Sequence, residues 1–237
     1  LVSLIALIIL FPIISIFSFL IWIQDWKSPF YIAQRVGKNG KLFKMIKFRS
    51  MIVNADKSGV DSTAENDTRI TSLGKFIRKY KIDELPNFFN ITSGEMSFVG
   101  PRPNVKRETD LYTDEEKLLL SVRPGITDFS SIIFSDESEI LKGSKDPDLD
   151  YNQLIRPWKS RLGILYIKNK TFIMDIYLII LTAVSIFSRE KSLLLINKLL
   201  SNNKADEQLL SICLRTKALE PFHPPGTNSI VISRKPS

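Results

Sequence analysis

The sequence predicts a mixed α/β domain behind an N-terminal membrane helix, with short strands and several helices, some of them at a membrane interface. Three observations predict it. Leu1 to Ile23 carries no charged residue, Ser28 to Met51 reads as two strands around a turn at Gly37-Lys38-Asn39-Gly40, and most of the remainder reads as short helices punctuated by Gly and Pro. A chain of 237 residues with 44% hydrophobic content can bury one medium core.

Leu1 to Ile23 is long enough to cross a hydrocarbon core, which needs about 20 apolar residues as a helix. A signal peptide is the competing reading, but no small-residue cleavage site follows, and Gln24-Asp25-Trp26-Lys27 reads as an interfacial stop. The chain opens on Leu1 rather than Met and is expected to continue upstream. Pro12 stands mid-segment, where its ring removes a hydrogen bond and bends the helix. The residues alone leave a plain span and a bent helix equally open.

In the strand pair, Phe43 and Met45, with Ile46, compete for the core, while Lys47 and Arg49 share a face. Ile52 to Thr68 is polar, with Asn54-Ala55-Asp56 expected as a short helix. Ser72 to Tyr80 reads as a basic helix with Phe76 and Ile77 on its apolar side; Arg78, Lys79 and Lys81 would ordinarily be a solvated face. A further helix is expected from the Asp83 N-cap to Thr92. Pro86 falls in its first turn, Leu85, Phe88, Phe89 and Ile91 are buried, and Gly94 terminates it. Gly100-Pro101-Arg102-Pro103 is a stiff loop with few ways to point Arg102.

Downstream, Asp114 to Ser121 reads as helical, Val122 to Thr127 as a loop, Ile126 to Phe134 as extended and Asp136 to Asp150 as an acidic surface loop. Tyr151 to Lys168 and Thr171 to Phe187 are two helices. Asp175 in the second argues for packing on the domain or at an interface rather than spanning. Lys198 to Ser237 reads as a small helical appendage and a loose tail.

The net charge of +8 and a pI near 9.5 imply an anionic partner. Nucleic acid has the least support, since neither a zinc-ligand cluster, nor an aromatic RNA-binding signature, nor a basic recognition helix is present. A single Cys213 excludes an internal disulfide and a lone His223 excludes a histidine-based metal site.

Asp83 and Glu84 are adjacent carboxylates with Arg78 before them and Arg102 after. Such a pair ordinarily caps or solvates a helix start. With flanking arginines and an upstream membrane segment, the same groups are the parts needed to work on a diphosphate: a carboxylate nucleophile, a metal-binding acid and phosphate donors.

Four blocks carry a family resemblance: Lys47-Phe48-Arg49-Ser50-Met51, Asp83-Glu84-Leu85-Pro86-Asn87, Gly94 to Pro103, and Arg123-Pro124-Gly125-Ile126-Thr127. In this order they resemble the bacterial sugar transferases, monotopic phosphoglycosyl transferases that start glycan assembly on a polyprenyl phosphate, over roughly Leu1 to Arg189. The resemblance implies a re-entrant membrane helix (1–27), a catalytic domain (28–189) facing the cytosol at the bacterial inner membrane, and an appendage of unknown role (190–237). It implies transfer of a sugar 1-phosphate from a UDP-sugar to undecaprenyl phosphate, with Asp83 as nucleophile, UMP released and Glu84 on Mg²⁺. Arg78, Arg102, Lys47, Arg49 and Arg35 are the phosphate-binding cations it points to, and membrane lipids and a homodimer are further partners. The rival class is a non-enzymatic, membrane-anchored basic docking protein; it accounts for the charge and for Leu1 to Ile23 but not for the Asp83-Glu84 pair between arginines. A multi-span transferase fits poorly with one clear membrane segment.

Overall fold

The computed structural model describes residues 2–55, 62–63 and 67–233; Asp56 and Gly59, within the polar stretch expected before the basic helix, lie outside the described residues. Helix α1 (Val2–Trp22) includes Pro12 and is followed by the antiparallel pair β1 (Phe30–Val36) and β2 (Leu42–Phe48), in which Phe30 faces Phe48 and Arg35 faces Phe43. Then come α2 (Ser72–Lys79), a 3-10 turn (Ile82–Glu84), α3 (Asn87–Thr92), β3 (Ser97–Val99) and α4 (Lys106–Thr109). A second 3-10 turn (Glu116–Ser121) leads to β4 (Gly125–Thr127), which pairs in parallel with β3. The C-terminal half is α5 (Phe129–Ile133), α6 (Glu137–Ile140), α7 (Pro147–Asp150), a π turn (Tyr151–Ile155) running into α8 (Arg156–Asn169), then α9 (Phe172–Phe187), α10 (Arg189–Asn202) and α11 (Glu207–Leu214).

Helix α1 is apolar all round, which suits lipid on one side and protein on the other. Ile14 and Ile21 are buried with Phe48 of β2 and Ile77 of α2, with Leu7, Leu10 and Phe17 packed around them, while Ile8, Ile9, Phe11, Ile16 and Phe19 are exposed. Trp22 and Trp26 stack edge to face at the end of the helix, where an aromatic belt belongs. The Asp25 carboxylate there is gripped by both terminal nitrogens of Arg49, whose Nε also donates to the Ser28 carbonyl (2.9 Å).

The main core joins α5, α8, α9 and α10 through Ile132, Leu162, Leu178 and Ile196. Three sequence expectations change here. Ile126 to Phe134 is extended only to Thr127: Asp128 then caps α5, accepting from the Ser131 backbone N–H (2.7 Å), so the apolar residues that follow wind into a helix. The acidic stretch 136–150 contains α6 and α7 and buries Leu141 and Asp148. The expected helical appendage is present, but as far as residue 233 the tail after it is not loose: α10 and α11 place Leu193, Leu200, Leu209 and Cys213 in the main core, and Phe222 stacks on Trp158 (4.4 Å between centroids) while its N–H donates to the Gln153 carbonyl. On α9, Asp175 accepts from the Tyr166 hydroxyl of α8 (2.7 Å), which satisfies an acid otherwise costly in so apolar a helix.

The helix expected from Asp83 to Thr92 is broken in two. Pro86 has no N–H to give to the Ile82 carbonyl, so the chain closes a 3-10 turn first, with Leu85 N–H on Ile82 O, and Pro86 becomes the N-cap of α3. Gly94 ends α3 at φ 80°, as expected. Of the four apolar residues expected inside, Leu85, Phe88 and Ile91 are half-buried and Phe89 is 43% exposed, while Asn87 and Asn90 are buried. Asn90 is the tie between α3 and the strand pair. Its Oδ1 accepts from Ile46 N–H (3.0 Å), and its Nδ2 donates to Lys44 O (2.7 Å) and to Glu95 Oε2 (2.8 Å). Asn90→Ala would orphan two backbone groups of β2, and a loss of about 2–4 kcal/mol is expected by chemical denaturation.

Candidate active site

The site is built on β2, the 3-10 turn and the loop after β3. Lys47 projects from the same face of β2 as Phe43 and Met45, and Arg35, opposite Phe43, shares that face from β1. Helix α2 stops at Lys79; Lys81 then takes a left-handed conformation (φ 58°) that turns the chain back and presents Ile82-Asp83-Glu84 to the strand. Successive side chains in a 3-10 turn diverge by about 120°. Asp83 and Glu84 therefore point different ways, and their environments differ.

Glu84 is held from two sides. Arg102 grips it with two prongs, Nη2 to Oε1 at 2.6 Å and Nη1 to Oε2 at 3.0 Å, and Lys47 Nζ lies 3.3 Å from Oε1. Arg102 Nη1 also donates to the Ile126 carbonyl (2.8 Å). Burial alone would raise the Glu84 pKa, but the charges of Arg102 and Lys47 outweigh it and hold the group well below the ordinary glutamate range. Burial lowers Lys47 against the partial support of Glu84, while in Arg102 the Glu84 carboxylate overcomes burial and raises the pKa.

Asp83 makes no hydrogen bond or ion pair among the described residues. Burial, followed by the repulsion of Glu84, pushes its pKa up against the pull of Lys47, Lys81 and Arg78. It opens into a cleft of about 870 Å³ lined also by Arg35, Lys47, Arg78, Arg102 and Asp128. Arg78 is half-buried there and has no hydrogen-bond or ion-pair partner among the described residues.

Residues 1–189 match the family model of bacterial sugar transferases. The chain belongs to that family. It is 35% identical over 182 residues to an undecaprenyl-phosphate galactose phosphotransferase of Salmonella typhimurium, covering 70% of this chain and 35% of that protein. It is 44% identical over 113 residues to a Bacillus subtilis protein named as an undecaprenyl-phosphate N-acetylgalactosaminyl 1-phosphate transferase, covering 48% of this chain and 63% of that one. A galactosyl transferase of Streptococcus agalactiae is 36% identical over 170 residues, 67% of this chain and 34% of its own length. The chain thus spans between a third and two thirds of these relatives.

Within this chain the two late sequence blocks form one structural unit. Gly100 N–H donates to Thr127 O and Gly125 N–H to Pro101 O, both at 3.0 Å, and a Cβ on Gly125 would stand 2.2 Å from Gly100 N. This back-to-back contact brings Arg102 and the Ile126 carbonyl together. Asp128, buried just beyond, accepts from the hydroxyls of Ser130 and Ser131 and adds its field to Arg102.

Of the residues singled out by sequence, Asp83, Glu84, Lys47, Arg35, Arg78 and Arg102 meet at the cleft. Arg49 does not: β2 ends at Phe48 and Asp25 captures the guanidinium, so it fastens the exit of α1 to the domain. Arg102 is in place, but its fork is occupied by Glu84 rather than open to a phosphate. The sequence reading also passed over Asn90 and Asp128. Asn87 and Asn90, three apart among phenylalanines, were the available signal: beside a membrane helix, polar side chains turn toward protein and aromatic ones away.

The described residues contain no group of three His, Cys, Asp or Glu placed to hold a metal ion. Mg²⁺ asks for less, since it commonly sits on one or two carboxylates and takes its remaining ligands from phosphates and water. Among the described residues Glu84 Oε2 accepts one hydrogen bond, from Arg102, which leaves a lone pair for such an ion.

Proposed function

We propose that this chain is a membrane-bound phosphoglycosyl transferase that moves a sugar 1-phosphate from a UDP-sugar to undecaprenyl phosphate through an aspartyl intermediate on Asp83. One observation carries the reading: of two adjacent carboxylates, Glu84 is clamped and Asp83 is unpartnered in a cation-lined cleft. A carboxylate stripped of hydrogen bonds keeps its electron pair for attack, and a pair of acids pushed apart in pKa divides the work between them. Asp83 attacks the sugar-bearing phosphorus; the bond to the UMP oxygen breaks and the electron pair leaves with UMP. An oxygen of the lipid phosphate then attacks the same phosphorus, the acyl phosphate bond breaks and Asp83 is restored. Arg78, Arg35 and Lys47 offset the charge of the incoming diphosphate, and Lys47 with Arg102 keeps Glu84 fixed. The names of the Salmonella and Bacillus relatives, which specify an undecaprenyl-phosphate acceptor, support the same assignment.

Mg²⁺ belongs to the proposal, with Glu84 Oε2 as its protein ligand; when bound it neutralises charge on the diphosphate. EDTA is expected to stop UMP release and added Mg²⁺ to restore it, followed with a coupled UMP assay. Undiminished release in EDTA would remove the metal from the scheme.

The same reading puts α1 in the bacterial inner membrane with its domain facing the cytosol. In this reading α1 bends at Pro12 with both ends on the cytosolic side, in keeping with the hydrogen bond that a mid-helix proline removes. The deciding experiment supplies the full chain in lipid vesicles with undecaprenyl phosphate and radiolabelled UDP-sugars, beginning with UDP-galactose and UDP-N-acetylgalactosamine. Label moves into the organic extract as a diphosphate-linked sugar if the reading is right. A UDP-sugar panel that leaves the extract unlabelled would reject it.

A further inference from the structure

Helix α2 has two distinct faces that meet at the cleft. On one, Phe76 stacks on Phe17 of α1 (6.3 Å between centroids) and tilts against Tyr80 (4.9 Å); Phe76 and Tyr80 remain 48% and 40% exposed. This face adds two exposed aromatic rings beside the half-buried Phe17 of the apolar α1. On the other, Lys75, Arg78, Lys79 and, just past the helix, Lys81 line the cleft that holds Asp83. None of the four makes an ion pair among the described residues. Lys75 and Lys79 are one turn apart, both exposed, and Lys79 Nζ also lies over the Tyr80 ring (5.5 Å), at the seam between the two faces.

That seam has the requirements of a phosphate monoester on a long apolar chain. Its tail must stay on an apolar surface continuous with the membrane, and its charged end must come within reach of Asp83. A water-soluble nucleotide has no use for the first condition. Helix α9 also brings an apolar side chain to the cleft, Ile186, but with Ser185 beside it rather than a cation. We infer that Lys75 and Lys79 receive the phosphate of the lipid acceptor, guiding it along α2 to Asp83, and that they take no part in binding the nucleotide donor. The inference rests on the transferase reading above and divides its two substrates between two walls of one cleft.

The test uses the full chain in phosphatidylcholine vesicles, which carry no anionic bulk lipid, with undecaprenyl phosphate titrated in. The double variant Lys75→Ala/Lys79→Ala is expected to raise KM for undecaprenyl phosphate about thirtyfold, in keeping with two cations near a lipid surface. It should leave KM for the UDP-sugar unchanged, along with the single burst of UMP released without acceptor. Lys75→Arg/Lys79→Arg should restore the acceptor KM. An unchanged acceptor KM, or an equal rise for both substrates, would overturn the inference. So would loss of vesicle flotation by the alanine variant, because the lysines would then be holding the protein on the membrane rather than receiving the acceptor. If the unsubstituted chain releases no UMP at all, it is the transferase reading that fails, and this inference falls with it.

Discussion

Asp83→Asn is expected to abolish UMP release, by about a thousandfold or more, without loss of fold. The amide is nearly isosteric with the carboxylate but cannot form the acyl phosphate. Burial and the neighbouring Glu84 already disfavour the charged form of Asp83, so removing that charge should leave stability at neutral pH unchanged or slightly higher. Activity and stability therefore move apart, which separates a lost nucleophile from a damaged protein. Mass spectrometry of the protein quenched with UDP-sugar should find a sugar-phosphate adduct on the peptide containing Asp83 and none in the variant. The pH dependence follows from the same group. Only the ionised carboxylate attacks, so the donor half-reaction should rise through a pKa above the ordinary aspartate value of 3.8. Near-normal turnover by the Asn variant would end the covalent scheme.

Arg102→Leu is the second large effect, and it is expected in stability first. It removes both prongs that hold Glu84 and leaves a buried carboxylate with Lys47 alone, a loss of about 3–5 kcal/mol. Arg102→Lys keeps the charge without the fork and should fall between the two. The sign with pH is fixed by the depressed Glu84 pKa. Its contribution is present above the ordinary glutamate value of 4.5 and is lost as pH falls through the lower folded value. Acidification should therefore destabilise the unsubstituted protein more than the Leu variant, and their denaturation midpoints should converge. Equal midpoints at pH 7 would show that the clamp contributes nothing. A Leu variant that keeps its fold but loses turnover would assign Arg102 to the substrate instead.

That Asp83, Glu84 and Arg102 meet at one cleft was largely legible in the sequence because their spacing survives folding: Asp83 and Glu84 are neighbours in any conformation, and the Pro-flanked Arg102 had few ways to point. The strand pair and the apolar α1 followed from periodicity and length. What could not be read was which charge meets which. Arg49 and Lys47 share a strand face by alternation, yet one turns to Asp25 and the other to Glu84, because the strand ends between them. The phosphate clamp expected at Arg102 became a carboxylate clamp for the same kind of reason, a partner 18 positions away that no local rule supplies. The exposure of Phe89 and the burial of Asn87 and Asn90 were hidden because burial rules assume water outside, whereas α3 packs beside the apolar α1. The C-terminal helices were underrated because Lys, Asn and Pro between and after them read as solvated chain, and their leucines find their place only in a core assembled elsewhere in the chain.

The contact between Gly100 and Gly125 bears on how such proteins can be recombined. With the backbones too close for even a methyl group, the two loops cannot drift independently, and each is the mould for the other. A chimaera that takes residues 123–127 from one relative and residues 100–103 from another would join halves of different castings. Exchanges meant to alter sugar preference should carry both loops from one parent, or leave both in place and vary the α5 wall, where Ser131 and Ser135 face the cleft without touching that seam.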